Sequence, residues 1–226
     1  MPFLLLLETS SKNCSVALVD EHRVIAHRAA SAEHFVHAEQ LHGMLEEISK
    51  EVSFSLNMLS AIAVGRGPGS YTGLRIGVSA AKGLCFALNI PLISIDTTQL
   101  LADYAITQFA PVGNVVPLID ARRMEVYMAT FDGKATRMSE DSAVIVDENT
   151  FTVFDAQQLV LVGDGAEKCK AIVDKNVRTL CIMPDATMMH KRALQLFQES
   201  RFEDTAYFEP FYLKEYTPGI SRKGVL

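Results

Sequence analysis

Two acids stand at the ends of two apolar runs: Glu8 closes LLLLE and Asp120 closes VPLID. Thr9 and Ser10 follow the first, and Ala121 and Arg122 follow the second. An acid at a strand end beside hydroxyl or basic groups can hold a metal-bound phosphate in a cleft and shield it from water. The same acid can instead accept turn hydrogen bonds and simply close its strand, with Arg122 neutralising Asp120. Both readings stand for Glu8, Thr9, Ser10 and Asp120.

A second candidate is GRGPGSYTGLRIGVSAAKG, residues 65 to 83. It lacks the Gly-Lys-Ser/Thr of a P-loop, and its Gly-x-Gly-x-Gly departs from the dinucleotide fingerprint. Gly67 and Gly69 precede a helix that Ser70 or Thr72 can cap, so the first amides of that helix can receive an anion. Alternatively, Gly73, Gly77, Ala80, Ala81 and Ala87 give the helix a face with few side chains, on which another backbone can lie. Leu74, Val78, Ala81 and Cys85 also follow the three-four spacing of a packing helix.

The preceding helix, residues 31 to 50 with Ser31 as its cap, carries His34 and His37 followed by Leu41, Leu45 and Ile48. Two histidines three apart can share a metal, but no Cys or Asp nearby completes the shell and H-E-x-x-H is missing, so no metal site is expected. The stripe reads instead as an interaction surface or as ordinary core. No Ser or Cys has a recognisable activating base.

These residues are carried on a repeat. Asp20 follows Glu8 by 12 positions and Asp132 follows Asp120 by 12, with the second copy displaced by 112 residues. AIAVGRG at 61 to 67 and LVLVGDG at 159 to 165 form a second matched pair of strands ending in Gly-x-Gly. The pattern of three strands, helix, strand, helix predicts an α/β chain of two related lobes, 1–108 and 109–206, facing each other across a cleft. The first helix of the repeat is nearly deleted in the second lobe. Residues 186 to 202 read as a helix, and 207–226 as an aromatic-rich segment with a mobile polar tail.

The net charge of −6 argues against autonomous binding of nucleic acid, which needs concentrated Lys and Arg. Cys14, Cys85, Cys169 and Cys181 have no C-x-x-C spacing and read as buried small hydrophobes in a reducing compartment. No apolar run approaches the roughly 20 residues that span a bilayer, so a cytoplasmic protein without membrane contact is expected.

In order and spacing, LLLLETSSKNCSVAL, GRGPGSYTGLRIGVSAAKGL, LIDARRMEVYMATF and EPFYLKEY resemble the bacterial TsaB family, also called YeaZ. The resemblance implies a duplicated two-lobed actin/Hsp70/sugar-kinase-like fold and a part in making N6-threonylcarbamoyladenosine on tRNA. It implies a non-catalytic scaffold for the catalytic paralogue TsaD, whose H-x-x-x-H motif this sequence lacks. The ATPase TsaE would join them, with tRNA held mainly through the partner. No cofactor is implied for the isolated chain, whereas ATP and magnesium act in the complex. The family's contact with TsaD, or with a second copy when TsaD is absent, maps onto residues 33 to 50 and 72 to 88. That places His34, His37, Leu41, Leu45, Ile48, Leu74, Val78, Ala81 and Cys85 at the partner interface. Two features depart from the family pattern: Glu8 stands for the usual Asp, and the H-S/T-x-x-L-x-P pattern becomes His37, Ala38, Leu41 and Gly43. The alternative expectation is an ATP-hydrolysing or phosphoryl-transfer enzyme using Glu8 and Asp120.

Overall fold

Leu4 to Leu7 are all buried, yet they serve two different cores. Strand side chains alternate, so Leu5 and Leu7 face one side of the sheet and Leu4 and Leu6 the other. A run that is apolar at every position belongs in a sheet covered on both faces. The computed structural model describes residues 1–31, 37–109 and 113–214, and for 37–39 only the backbone.

The first sheet has the order β3-β2-β1-β4-β5, built from β1 (Leu4–Glu8), β2 (Asn13–Val19), β3 (Val24–Ser31), β4 (Ala61–Gly67) and β5 (Leu92–Asp96). β1 to β3 form an antiparallel meander, and β4 and β5 run parallel to β1. Helices α1 (His37–Glu51) and α2 (Tyr71–Leu88) cover one face. α3 (Thr97–Gln108) and α5 (His190–Gln198) contribute to the core on the other.

The second sheet contains β6 (Asn114–Asp120), β7 (Glu125–Met128), β9 (Ser142–Ile145), β10 (Leu159–Val162) and β11 (Arg178–Leu180), with the two-residue β8 (Phe131–Asp132) beside β6. Read from β9, its order is β9-β7-β6-β10-β11, with the same strand directions as the first sheet. The duplication expected from the sequence is therefore a duplication of topology. Between β9 and β10 there are only turns, where the first lobe has α1, and the counterpart of α2 is the short α4 (Ala166–Cys169).

Ser31 is not a helix cap. It ends β3 opposite Asn13, because the polar end of β2 extends the pairing beyond the apolar stretch that marks the strand in sequence. The expected helix over 186 to 202 is a 3₁₀ turn at Ala186–Met189 followed by the shorter α5. Cys14, Cys85 and Cys169 are buried, and burial pushes their thiols up to about 11, about 12 and about 11. Cys181 departs from the expectation and is exposed, just beyond the end of β11. No helix among the described residues is long and apolar enough to cross a membrane.

Candidate functional site

The ends of the two central strands face a cleft of about 450 Å³ between the lobes. Ser10 and Lys12 line one wall with Gly69 and Tyr71 at the start of α2; Asp120, Arg122, Tyr127 and Asp164 line the other. The segment after α5 closes one side: the Phe211 N–H donates to the Arg66 carbonyl at 2.7 Å, Tyr212 packs on Tyr71 with ring centroids 4.6 Å apart, and Lys214 pairs with Glu125.

Gly67, Gly69 and the α2 glycines are primarily structural. The Ser70 N–H donates to the Ser10 carbonyl at 2.6 Å, and the Thr9 hydroxyl donates to the Gly73 carbonyl at 2.8 Å. Any Cβ at Gly73 would fall well inside contact distance of the Thr9 carbonyl oxygen, and one at Gly69 would strike Ser10. The glycine face thus seats the chain that leaves β1, as the close-packing reading of Gly73 and Gly77 requires. Ala80 and Ala87 do not share that role, and Ala87 is exposed. Gly67 lies outside the cleft, with the Phe211 carbonyl where its Cβ would be.

Of the two acids, only Asp120 reaches the cleft. Glu8 is fully buried. Its Oε1 accepts the Ser10 N–H at 2.6 Å, and its Oε2 has no hydrogen-bond partner and lies against Gly65. Burial raises its pKa, and the nearby charge of Asp185 adds to the rise. Thr9 is likewise buried and outside the cleft.

Asp120 is bound on several sides. Lys168 Nζ lies 2.6 Å from its Oδ1, and that oxygen also accepts the Arg122 N–H at 2.9 Å. Asp120 N–H donates to Asp164 at 3.0 Å. Burial, reinforced by the Asp120 charge, pushes the Asp164 carboxyl up. Lys168 rather than Arg122 neutralises Asp120, a pairing from α4 that spacing along the strand does not reveal. Arg122 and Arg123 have φ of 72° and 51°, so this turn presents two arginines from left-handed backbone.

An octahedral magnesium ion needs ionised, accessible oxygens. A buried Glu8 with a raised pKa and an Asp120 held by Lys168 do not fit one, so the magnesium-organising reading of these acids is not supported. Among the described residues no group of three His, Cys, Asp or Glu is disposed to hold a metal. His34 lies outside the described residues, as does the side chain of His37.

The expected partner residues are displaced too. Leu41, Leu45, Ile48, Leu74, Val78, Ala81 and Cys85 are all buried, and all but Leu74 join one cluster between α1, α2 and the first sheet. They hold the helices to the sheet, because a three-four apolar stripe marks the buried side of a helix. The outward stripe of α2 runs through Thr72, Arg75, Ser79, Gly83 and Phe86, and Phe86 is 87% exposed. A Cβ at Gly83, or at Gly43 on α1, would meet nothing within 4 Å.

A family model described as TsaD, tRNA N6-adenosine threonylcarbamoyltransferase, matches residues 29–218. The tRNA threonylcarbamoyladenosine biosynthesis protein TsaB of Escherichia coli K12 is 31% identical over 222 residues, covering 93% of this chain and 94% of that protein. The chain belongs to the TsaB (YeaZ) family. The TsaB of Haemophilus influenzae is 30% identical over 93% of each chain. The solved structure of YeaZ from Pseudomonas aeruginosa superposes with a TM-score of 0.78 at 28% identity, covering 94% of this chain and all of that one. Membership associates the chain with tRNA threonylcarbamoyladenosine biosynthesis, and the two-lobed α/β fold agrees with it.

For this TsaB-family chain, the buried Glu8 makes a pH-dependent stability term. Its folded pKa lies above the ordinary 4.5, so the folded state holds a proton that the unfolded chain has lost, and stability falls as pH rises from 4.5 through the raised value. Glu8→Gln cannot ionise. The difference in unfolding midpoint, variant minus parent, should therefore increase as pH rises above 4.5 in thermal melts; parallel curves would count against a raised Glu8 pKa.

Proposed function

We propose that this chain is a non-catalytic subunit of the tRNA threonylcarbamoyladenosine machinery, working in the cytoplasm by docking a TsaD-like paralogue through the outer face of α1 and α2. The observation that carries this reading is Phe86, a large apolar side chain held in water on a helix face where Gly83 and, across on α1, Gly43 leave the backbone uncovered. Small residues around one aromatic anchor allow two helix pairs to approach closely while the anchor fills a pocket. The match to a TsaD family model over most of the chain supports a partner of related fold. In the partner's absence the same face pairs two copies of the chain. A TsaE-like ATPase completes the assembly; ATP and magnesium act there, and tRNA is held mainly by the TsaD-like subunit.

The test is light scattering of the full chain alone and with the TsaD-like paralogue of its own host, followed by a threonylcarbamoylation assay. The expected result is a heteromeric complex in which a chain inert by itself raises the partner's activity. Failure to associate, or magnesium-dependent ATP turnover by the chain alone that Glu8→Ala removes, would favour the phosphoryl-transfer reading.

A further inference from the structure

We propose that residues 203–214 form a strap whose root is fixed to the first lobe and whose tip, Phe211 to Lys214, is a salt-releasable gate on the interlobe cleft. The root is tied by backbone bonds and burial. The Glu203 N–H donates to the Leu92 carbonyl at 2.9 Å, which adds the strap to the edge of β5, and the Ser94 hydroxyl donates to the Glu203 carboxylate. Asp204 fixes the next turn: its carbonyl accepts the Phe208 N–H at 2.8 Å and its carboxylate accepts the Ala206 N–H at 2.9 Å. Lys82 on α2 clamps that turn, with Nζ donating to the Ala206 carbonyl at 3.1 Å and to the Phe208 carbonyl at 2.8 Å. Phe208 itself packs against the core under α1 and α2.

The tip is held differently. Pro210 has no N–H to tie it down and separates the two parts. Beyond it, the Phe211 N–H reaches the Arg66 carbonyl at 2.7 Å, Tyr212 rests on Tyr71, and Lys214 crosses to the second lobe to pair with Glu125 at the start of β7. Tyr212, Leu213 and Lys214 line the cleft, so the position of the tip decides whether this side of the cleft is closed. The Lys214 side chain is 48% exposed, and an ion pair wetted to that degree is weak and screened by salt. A segment opens first where it has the fewest buried contacts, which here is the tip and not the root. The gate opens by release of this pair, without movement of either lobe.

This inference does not depend on partner docking and is tested on the full chain alone, by amide hydrogen exchange followed by NMR. Raising salt from about 20 mM to about 500 mM should speed exchange of the Phe211 amide about threefold while the Glu203 and Phe208 amides keep their rates. Lys214→Met, which keeps the apolar stem and removes the charge, should give the faster Phe211 rate already at low salt and abolish the salt response. Lys82→Met should free the root, so that the Phe208 and Phe211 amides both exchange faster. Access to the cleft is read with a soluble gadolinium chelate: the methyl signals of Ile119, a cleft-lining residue only 1% exposed, should broaden more in Lys214→Met than in the parent. A Phe211 rate indifferent to salt and to Lys214→Met, equal acceleration of the Phe208 and Phe211 amides by Lys214→Met, or Ile119 signals unchanged in that variant overturns the inference.

Discussion

Phe86→Glu is expected to abolish docking without unfolding the chain. Phe86 sits in water on the outer stripe of α2, so its removal takes nothing from the core, and surface changes of this kind shift stability by about 0.5 kcal/mol or less. At an interface, an aromatic anchor closed off from solvent is worth about 2 kcal/mol or more, and a buried unpaired carboxylate adds a penalty. Affinity for the TsaD-like paralogue should fall by roughly thirtyfold or more, with the thermal midpoint moved by no more than about 2 °C. Leu74→Asp is the contrast: it places a charge at a fully buried position of the same helix and should unfold the chain before any partner is added. Undiminished assembly by Phe86→Glu would remove the outer face of α2 from the docking surface.

The exchange of buried for exposed residues on these helices shows what sequence pattern reports. Leu41, Leu45, Ile48, Leu74 and Val78 have the spacing of an apolar stripe, and a stripe states that something covers it without stating whether the cover is the chain's own sheet or a partner. Phe86 breaks the stripe, and an isolated exposed aromatic has no periodicity by which to be found. The repeat was legible because topology leaves a trace in spacing: Glu8 and Asp120 occupy corresponding ends of β1 and β6. Their environments were not. Glu8 has the strand parity of Leu4 and Leu6 and points into the sheet's covered face, toward the charge of Asp185. Asp120 has the strand parity of Val116 and Leu118, on the face of its sheet that carries α4, so it meets Lys168 at the cleft. Lys168 joins the site from the sequence-distant α4 with no local motif to announce it, whereas Asp164 and Tyr212 lie within LVLVGDG and EPFYLKEY, motifs that do not reveal that their side chains meet at the cleft.

Gly73 and Gly83 lie on one helix, and replacing each with a larger residue should change stability in opposite directions. At Gly73 the obstacle is the backbone of Thr9, pinned by its hydroxyl to the Gly73 carbonyl at 2.8 Å and, one residue on, by the Ser70 N–H on the Ser10 carbonyl at 2.6 Å. Backbone held at both ends cannot turn aside as a side-chain tip can, so Gly73→Val must lift the β1–β2 turn from α2. Overpacking of this kind costs about 3 kcal/mol or more, a fall of roughly 6 to 12 °C in the unfolding midpoint of a chain this size. At Gly83 a Cβ meets nothing within 4 Å, so Gly83→Ala keeps the helix geometry and restricts only the unfolded chain. It should gain up to about 1 kcal/mol. Urea denaturation of the isolated chain compares the two variants directly; shifts of the same sign would mean that α2 does not bear on the Thr9–Ser10 backbone, and the cleft wall built on that contact would have to be redrawn.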